Sequence, residues 1–236
     1  MNNIIETAQV KAAEKLAAAV MSSNQSKIGR ITGEPGTGKS MIGHYLAKDP
    51  YAIRVCAHAG INNKGLMAAL CQAAQIDDRG TAPSLLMRLA NQLNGRLLII
   101  DEANHLGWRH IEILRYLPDE AGAGLILIGT DLLERSFYDG RSAVYLRQMA
   151  GRIGSKQLRL TPMKDDKELY HYVIIPEFGQ VTKETAKAFM AGCKGYWRLA
   201  HELKEACQRI MTAQGLNKLD EAIVAGACAY IGGNHG

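Results

Sequence analysis

Eight consecutive residues, Gly33, Glu34, Pro35, Gly36, Thr37, Gly38, Lys39 and Ser40, match the pattern G-x-x-x-x-G-K-[ST] in full. Glycines at these spacings let successive backbone N–H groups turn inward around phosphate oxygens. A helix that follows then presents its positive N-terminus to the same charge. In that setting Lys39 reaches the β- and γ-phosphates, Ser40 ligates Mg²⁺, and Met41 follows as the next residue beside the nucleotide. The chemistry indicated is binding of ATP with Mg²⁺. Further along, Leu97-Leu-Ile-Ile-Asp101-Glu102 is an apolar run ending in two adjacent carboxylates. Asp101 suits the metal, directly or through water, and Glu102 suits the orientation and polarisation of an attacking water. An apolar run ending in Asp-Glu is weak evidence by itself. Downstream of a phosphate loop, in strand–helix context, it is strong.

Phosphoryl transfer also needs positive charge on the γ-phosphate and a group that detects it. Thr130, after the apolar run Leu125–Gly129, can bond the water or the γ-phosphate; it can equally cap a helix that starts at Asp131. Arg152, in Gly151-Arg-Ile-Gly154, is a candidate to reach a neighbouring subunit's nucleotide, and Arg147 is its rival. Arg198, in Gly195-Tyr-Trp-Arg198, can approach phosphates from the C-terminal part of the chain. For Arg152 and Arg147 the alternative is a solvated or DNA-facing side chain.

The elements that must position these residues alternate. Helix over 3–21, with an apolar stripe Ile5, Ala8, Ala12, Leu16 and Ala19, precedes a strand at 27–32, the glycine-rich loop and a helix at 39–48. A strand at 51–57, helices at 63–74 and 81–93, and strands at 96–101 and 124–129 follow, with a helix near 108–116 and a last strand at 156–160. Strands 96–101 and 124–129 are continuously apolar, as strands buried on both faces must be. Strands spaced by helices imply a parallel sheet with right-handed crossovers. After Pro162 only helices are expected, at 165–175, 183–191, 197–213 and 218–230. In the third of these Ala200, Leu203, Cys207 and Ile210 share a face. The expected organisation is an N-terminal helix at 1–24, an α/β nucleotide-binding domain at 25–162 and a small helical domain at 163–236.

Composition agrees. Of 236 residues 47% are hydrophobic and only 6% aromatic, which suits helices on a parallel sheet better than a β-sandwich. No apolar run approaches the roughly 20 residues needed to span a bilayer, and no signal peptide is visible. A cytoplasmic protein with no membrane partner is expected. The odd count of five cysteines, with no C-x-x-C, argues against a disulfide framework and for small buried side chains in a reducing compartment. His105 and His110 do not have the spacing of a metal pair. Net charge is 28 minus 23, or +5, too small to establish a nucleic-acid partner. From Arg141 to Lys167, however, seven Lys/Arg stand against two acids.

The order of phosphate loop, Asp-Glu strand, polar strand end, Gly-Arg before the last strand and Gly-x-x-Arg in a helical lid resembles AAA+ ATPases. The stretches Asp101-Glu-Ala-Asn-His-Leu106 and Leu127-Ile-Gly-Thr-Asp-Leu-Leu133 look like the Mu-type target-DNA activator B proteins and the ATPase regulators of related transposons. The resemblance covers about residues 25–232. It implies a P-loop AAA+ parallel sheet flanked by helices, with a small C-terminal helical lid. It also implies ATP hydrolysis, with Arg152 as arginine finger, Thr130 as first sensor and Arg198 as second. The partners implied are double-stranded DNA, bound with little sequence preference, a transposase, and further copies of the chain in a filament or ring within a bacterial host cell. Lys64 and Arg79 are the candidate DNA contacts, or else solvated surface residues. An N-terminal helix-turn-helix domain, frequent in such proteins, has no room here beyond the first helix. A helicase loader or replication initiator shares the same machinery, and a nucleotide-gated protein-interaction ATPase needs no DNA at all.

Overall fold

A computed structural model describes residues 6–140 and 142–233. Contacts divide the chain into two compact units, residues 1–34 with 39–160 and residues 35–38 with 161–236.

The first unit is built on a five-stranded sheet. Its strands are β1 (Ile28–Gly33), β2 (Ala52–Cys56), β3 (Leu97–Asp101), β4 (Gly124–Gly129) and β5 (Gln157–Leu160), in the order β2-β3-β4-β1-β5. All pairings are parallel. The three central strands are buried along their whole length, while β2 and β5 at the edges are only partly so. Side chains alternate between faces as the pleat requires. Leu98, Ile100, Leu125 and Leu127 join a core with α3 (Asn63–Ala74), α4 (Ala82–Gln92), α5 (Trp108–Ala121) and α7 (Ala143–Ile153). Ile99, Ile126 and Ile128 join another core with α1 (Ala8–Ser22) and α2 (Lys39–Leu46). Because all five strands run parallel, their carboxyl ends share one edge, where open α/β sheets bind ligands.

Local chemistry sets the helix ends. Thr7 Oγ1 accepts the Val10 N–H at 3.2 Å, so α1 starts at Ala8. Thr81 and Ser84 form a reciprocal capping box that opens α4, with Pro83 in its first turn. Three expectations need correction. The buried stripe of α1 is Val10, Ala13, Leu16 and Val20, whereas Ala8 and Ala19 are exposed and Ala12 is half-buried. In an alanine-rich helix the larger valines choose the face, and Ile5 lies outside the described residues. α5 runs on through Pro118 to Ala121 rather than stopping near 116, held by the buried Leu114, Leu117 and Ala121, and ends at left-handed Gly122. Finally, 143–153 is a helix that the sequence reading did not place. Its buried residues Ala143, Leu146, Met149 and Ile153 have helical spacing.

The second unit is helical. α8 (Asp166–Leu169), a π-helical turn (Tyr170–Ile174), α9 (Ile175–Phe178), α10 (Lys183–Cys193), α11 (Trp197–Gln214) and α12 (Glu221–Gly233) enclose a core centred on Phe189. Ala200, Leu203 and Cys207 of α11 face it. Asp220 accepts the Ile223 N–H at 2.9 Å, which delays α12 to Glu221. Gly195 is left-handed at φ 76°, and a Cβ there would lie 2.3 Å from the Met163 carbonyl oxygen. Only glycine fits. Among the described residues no helix is long and apolar enough to cross a membrane.

Candidate functional site

β1 delivers the chain at Gly33 to a loop that enters α2 at Lys39. Gly36 and Gly38 are left-handed, at φ 85° and 94°, as a loop turning its amides inward requires. Thr37 and Lys39 are buried, Pro35 and Met41 exposed, Ser40 half-buried. The Lys39 ammonium donates to the Gly33 and Glu34 carbonyls at 2.8 and 2.7 Å. It is thus folded back on the loop that it would stabilise. Within the second unit the Arg198 N–H donates to the Gly36 carbonyl at 3.4 Å, and the Arg198 side chain is exposed on the first turn of α11.

Two strands over, β3 ends at Asp101, which is 1% exposed. Two inter-strand spacings are roughly 10 Å, so Gly33, at the end of β1, and Asp101, at the end of β3, share one edge of the sheet. Asp101 Oδ1 accepts the Glu102 N–H at 2.9 Å, and Oδ2 accepts from the Arg54 guanidinium at 2.5 Å. Glu102 is half-buried and left-handed, φ 52° and ψ 34°. After it a 3₁₀ turn, Ala103–His105, brings Asn104 against β4, where its Oδ1 accepts the Thr130 N–H at 3.1 Å. Thr130 caps α6 (Asp131–Ser136) through a bond from the Leu132 N–H at 3.4 Å. Capping does not exhaust a hydroxyl, which keeps a proton to donate.

Ser40 and Asp101 provide one hydroxyl and one carboxylate. This hard-oxygen set suits Mg²⁺, which keeps several waters and shares its shell with phosphates, better than a cage made of protein alone. Cys56, level in register with Asp101, is exposed rather than buried as expected. Its thiol is nonetheless pushed above the ordinary range, first by partial desolvation and then by the Asp101 charge.

The other candidates lie elsewhere. Arg152 sits in the last turn of α7, paired with Asp119 of α5, which also binds Arg115 at 3.0 Å. With Gln25, Ser26 and Lys156 it lines a depression before β1 and β5, at the amino-terminal edge of the sheet. Arg147 is exposed on the same helix, Lys64 in the first turn of α3, and Arg79 between α3 and α4. Sequence reasoning missed Arg54 and Asn104. It also missed the buried Arg30, which binds Gln157 at 2.7 Å and Glu134 at 3.1 Å over the Phe137 ring and so anchors α6 to β1 and β5. A basic residue inside an apolar strand was the available signal for both arginines.

A parallel sheet in this order, with a phosphate loop after β1 and Asp-Glu after β3, is the fold of P-loop AAA+ ATPases. Residues 22–137 match the family model described as AAA domain. The Aeropyrum pernix ORC2 protein in its ADPNP–ADP complexes superposes with TM-score 0.65 at 19% identity, over 97% of this chain and 70% of that one. The Thermotoga maritima RuvB Holliday junction branch migration motor gives 0.60 at 20%, over 94% and 68%. At such identities the likeness speaks for the fold. In sequence the chain resembles the Mu-like prophage FluMu DNA transposition protein B of Haemophilus influenzae, with 31% identity over 112 residues. The match spans 48% of this chain and 38% of that protein.

Proposed function

We propose that this protein binds and hydrolyses ATP with Mg²⁺, and that its ATP-bound form assembles on double-stranded DNA of any sequence to mark it for a transposase. The observation that carries the ATPase part is the placement of Gly33, Lys39 and Ser40, at and after the end of β1, on the same edge of a parallel sheet as Asp101 and Glu102, at the end of β3. Lys39 exchanges the Gly33 and Glu34 carbonyls for phosphate oxygens. Ser40 and Asp101 hold the metal, which when bound offsets charge on the β- and γ-oxygens. Glu102 polarises the attacking water, and Thr130 reports on the γ-phosphate. Arg152 lies at the sheet edge away from its own phosphate loop, which favours a role toward another copy's nucleotide, with Arg147 as the rival. Such a role requires Arg152 to leave Asp119. Arg198 supplies a further cation. The DNA and transposase part rests on the likeness to a DNA transposition protein B, and implies work in the cytoplasm of a bacterial host.

The test is binding of random-sequence duplex DNA by the protein with and without ATP, beside Lys39→Ala. ATP should tighten DNA binding at least tenfold, about 1.4 kcal/mol or more, and Lys39→Ala should lose both nucleotide binding and that gain. Ordinary nucleotide affinity in Lys39→Ala refutes the loop assignment. Nucleotide binding without duplex affinity instead favours a protein-interaction ATPase. If DNA binds but a transposase leaves ATP turnover unchanged, a loader of replicative helicase becomes the better reading.

A further inference from the structure

Arg54 has no part in the roles above. On β2 it stands level with Ile99, two residues short of Asp101 and on the same face of the sheet. Its guanidinium meets Asp101 Oδ2 at 2.5 Å, with the two side chains 18% and 2% exposed. A path is left open for it. Gly43 of α2, one turn after Lys39, is the residue it passes, and a Cβ there would stand 3.2 Å from Arg54 Nε. That Nε is buried with no hydrogen-bond partner among the described residues. A plain structural ion pair would satisfy its buried donors; here Nε is left over while Nη2 meets the carboxylate assigned to the metal.

Both Asp101 oxygens are therefore engaged, one by the Glu102 amide and one by a fixed positive charge. Arginine does not lose its proton in a protein, so the charge must be displaced or tolerated when a second cation arrives. We propose that Arg54 is the resident counter-cation of Asp101: it holds the carboxylate while no nucleotide is bound and competes with Mg²⁺ for it. Metal then binds well only when phosphate oxygens add negative charge to the same edge. Arg54 thereby couples metal binding to nucleotide binding. This inference rests on Asp101 being the metal-side carboxylate.

The experiment is a Mg²⁺ titration of fluorescent ADP-analogue binding, with no turnover involved. Arg54→Gln keeps a donor and removes the charge, and should lower the Mg²⁺ midpoint about tenfold, since like charges a few Å apart in a partly buried site repel strongly. Arg54→Lys keeps the charge without the planar guanidinium whose Nη2 meets Asp101 Oδ2, and should lower it by about threefold. The Lys variant decides the matter alone if thermal melting shows Arg54→Gln to be unfolded. In an Asp101→Asn background neither change should move the midpoint. A midpoint that is unchanged or raised, or a fall that persists without the Asp101 charge, overturns the inference while leaving the nucleotide site intact. Failure of the unaltered protein to bind the analogue at any Mg²⁺ concentration overturns the proposed function itself.

Discussion

Glu102 holds a left-handed backbone, φ 52° and ψ 34°, which costs a non-glycine residue about 1 kcal/mol or more. Three bonds keep it there: its own N–H on Asp101 Oδ1 at 2.9 Å, its carbonyl to the His105 N–H at 3.0 Å, and the Ala57 N–H on the Asp101 carbonyl at 2.8 Å. They turn the chain sharply after β3, out of the strand conformation. Asp101 is buried and Glu102 half-exposed, which suits a division between metal and water. Glu102→Gln preserves size and the backbone bonds but cannot take up a proton. Nucleotide affinity should stay within about twofold while single-turnover hydrolysis falls about 100-fold or more, the usual scale of a lost general base. Oligomers formed with ATP should then be long-lived. Full turnover in this variant would mean that another group positions the water.

Between elements, the decisive contacts join residues far apart in the chain. Asn104 reaches Thr130 across 26 positions and Arg54 reaches Asp101 across 47. Asn104→Ala removes the acceptor that holds the Thr130 N–H at the β4–α6 junction. Stability in urea should drop by about 1 kcal/mol, and an unchanged midpoint would show that water replaces the amide without loss. These separations explain what could be read in the sequence. The span of β4 and of α3 coincides with expectation because a fully buried parallel strand and an Asn-capped helix each carry their own signal. The phosphate loop and the Asp-Glu pair are local patterns, so the positions of Lys39 and Ser40 at the start of α2 and of Asp101 at the end of β3 could be placed from sequence alone. Arg54 could not, because β2 pairs with β3 only through the sheet. α7 carries a weaker signal, because its buried Leu146, Met149 and Ile153 are interleaved with Arg147 and Arg152 and no side chain caps its start.

For the whole molecule, the basic stretch 141–167 is weaker than its composition suggests. Arg152 is paired with Asp119, and Arg159 bridges Asp131 at 2.8 Å and Glu134 at 3.1 Å. Charge already bound within a unit releases few counterions from DNA, since a phosphate contact must first break the internal pair. Exposed cations outside such pairs are better placed, and Lys64, at the start of α3, is one of them. Arg79 is another exposed candidate, although its backbone is tied to the Asp77 carboxylate and, through its carbonyl, to Arg88. If both touch phosphates, each accounts for about 0.9 in the slope of log affinity against log salt. Lys64→Ala with Arg79→Ala should then flatten that slope by roughly 2 per protomer and weaken binding alike for all sequences. Nucleotide affinity should not change, because neither residue belongs to the 33–40 loop or to the Asp101–Glu102 pair. An unaltered slope would move the DNA contact to other cations while leaving the ATP site where it is.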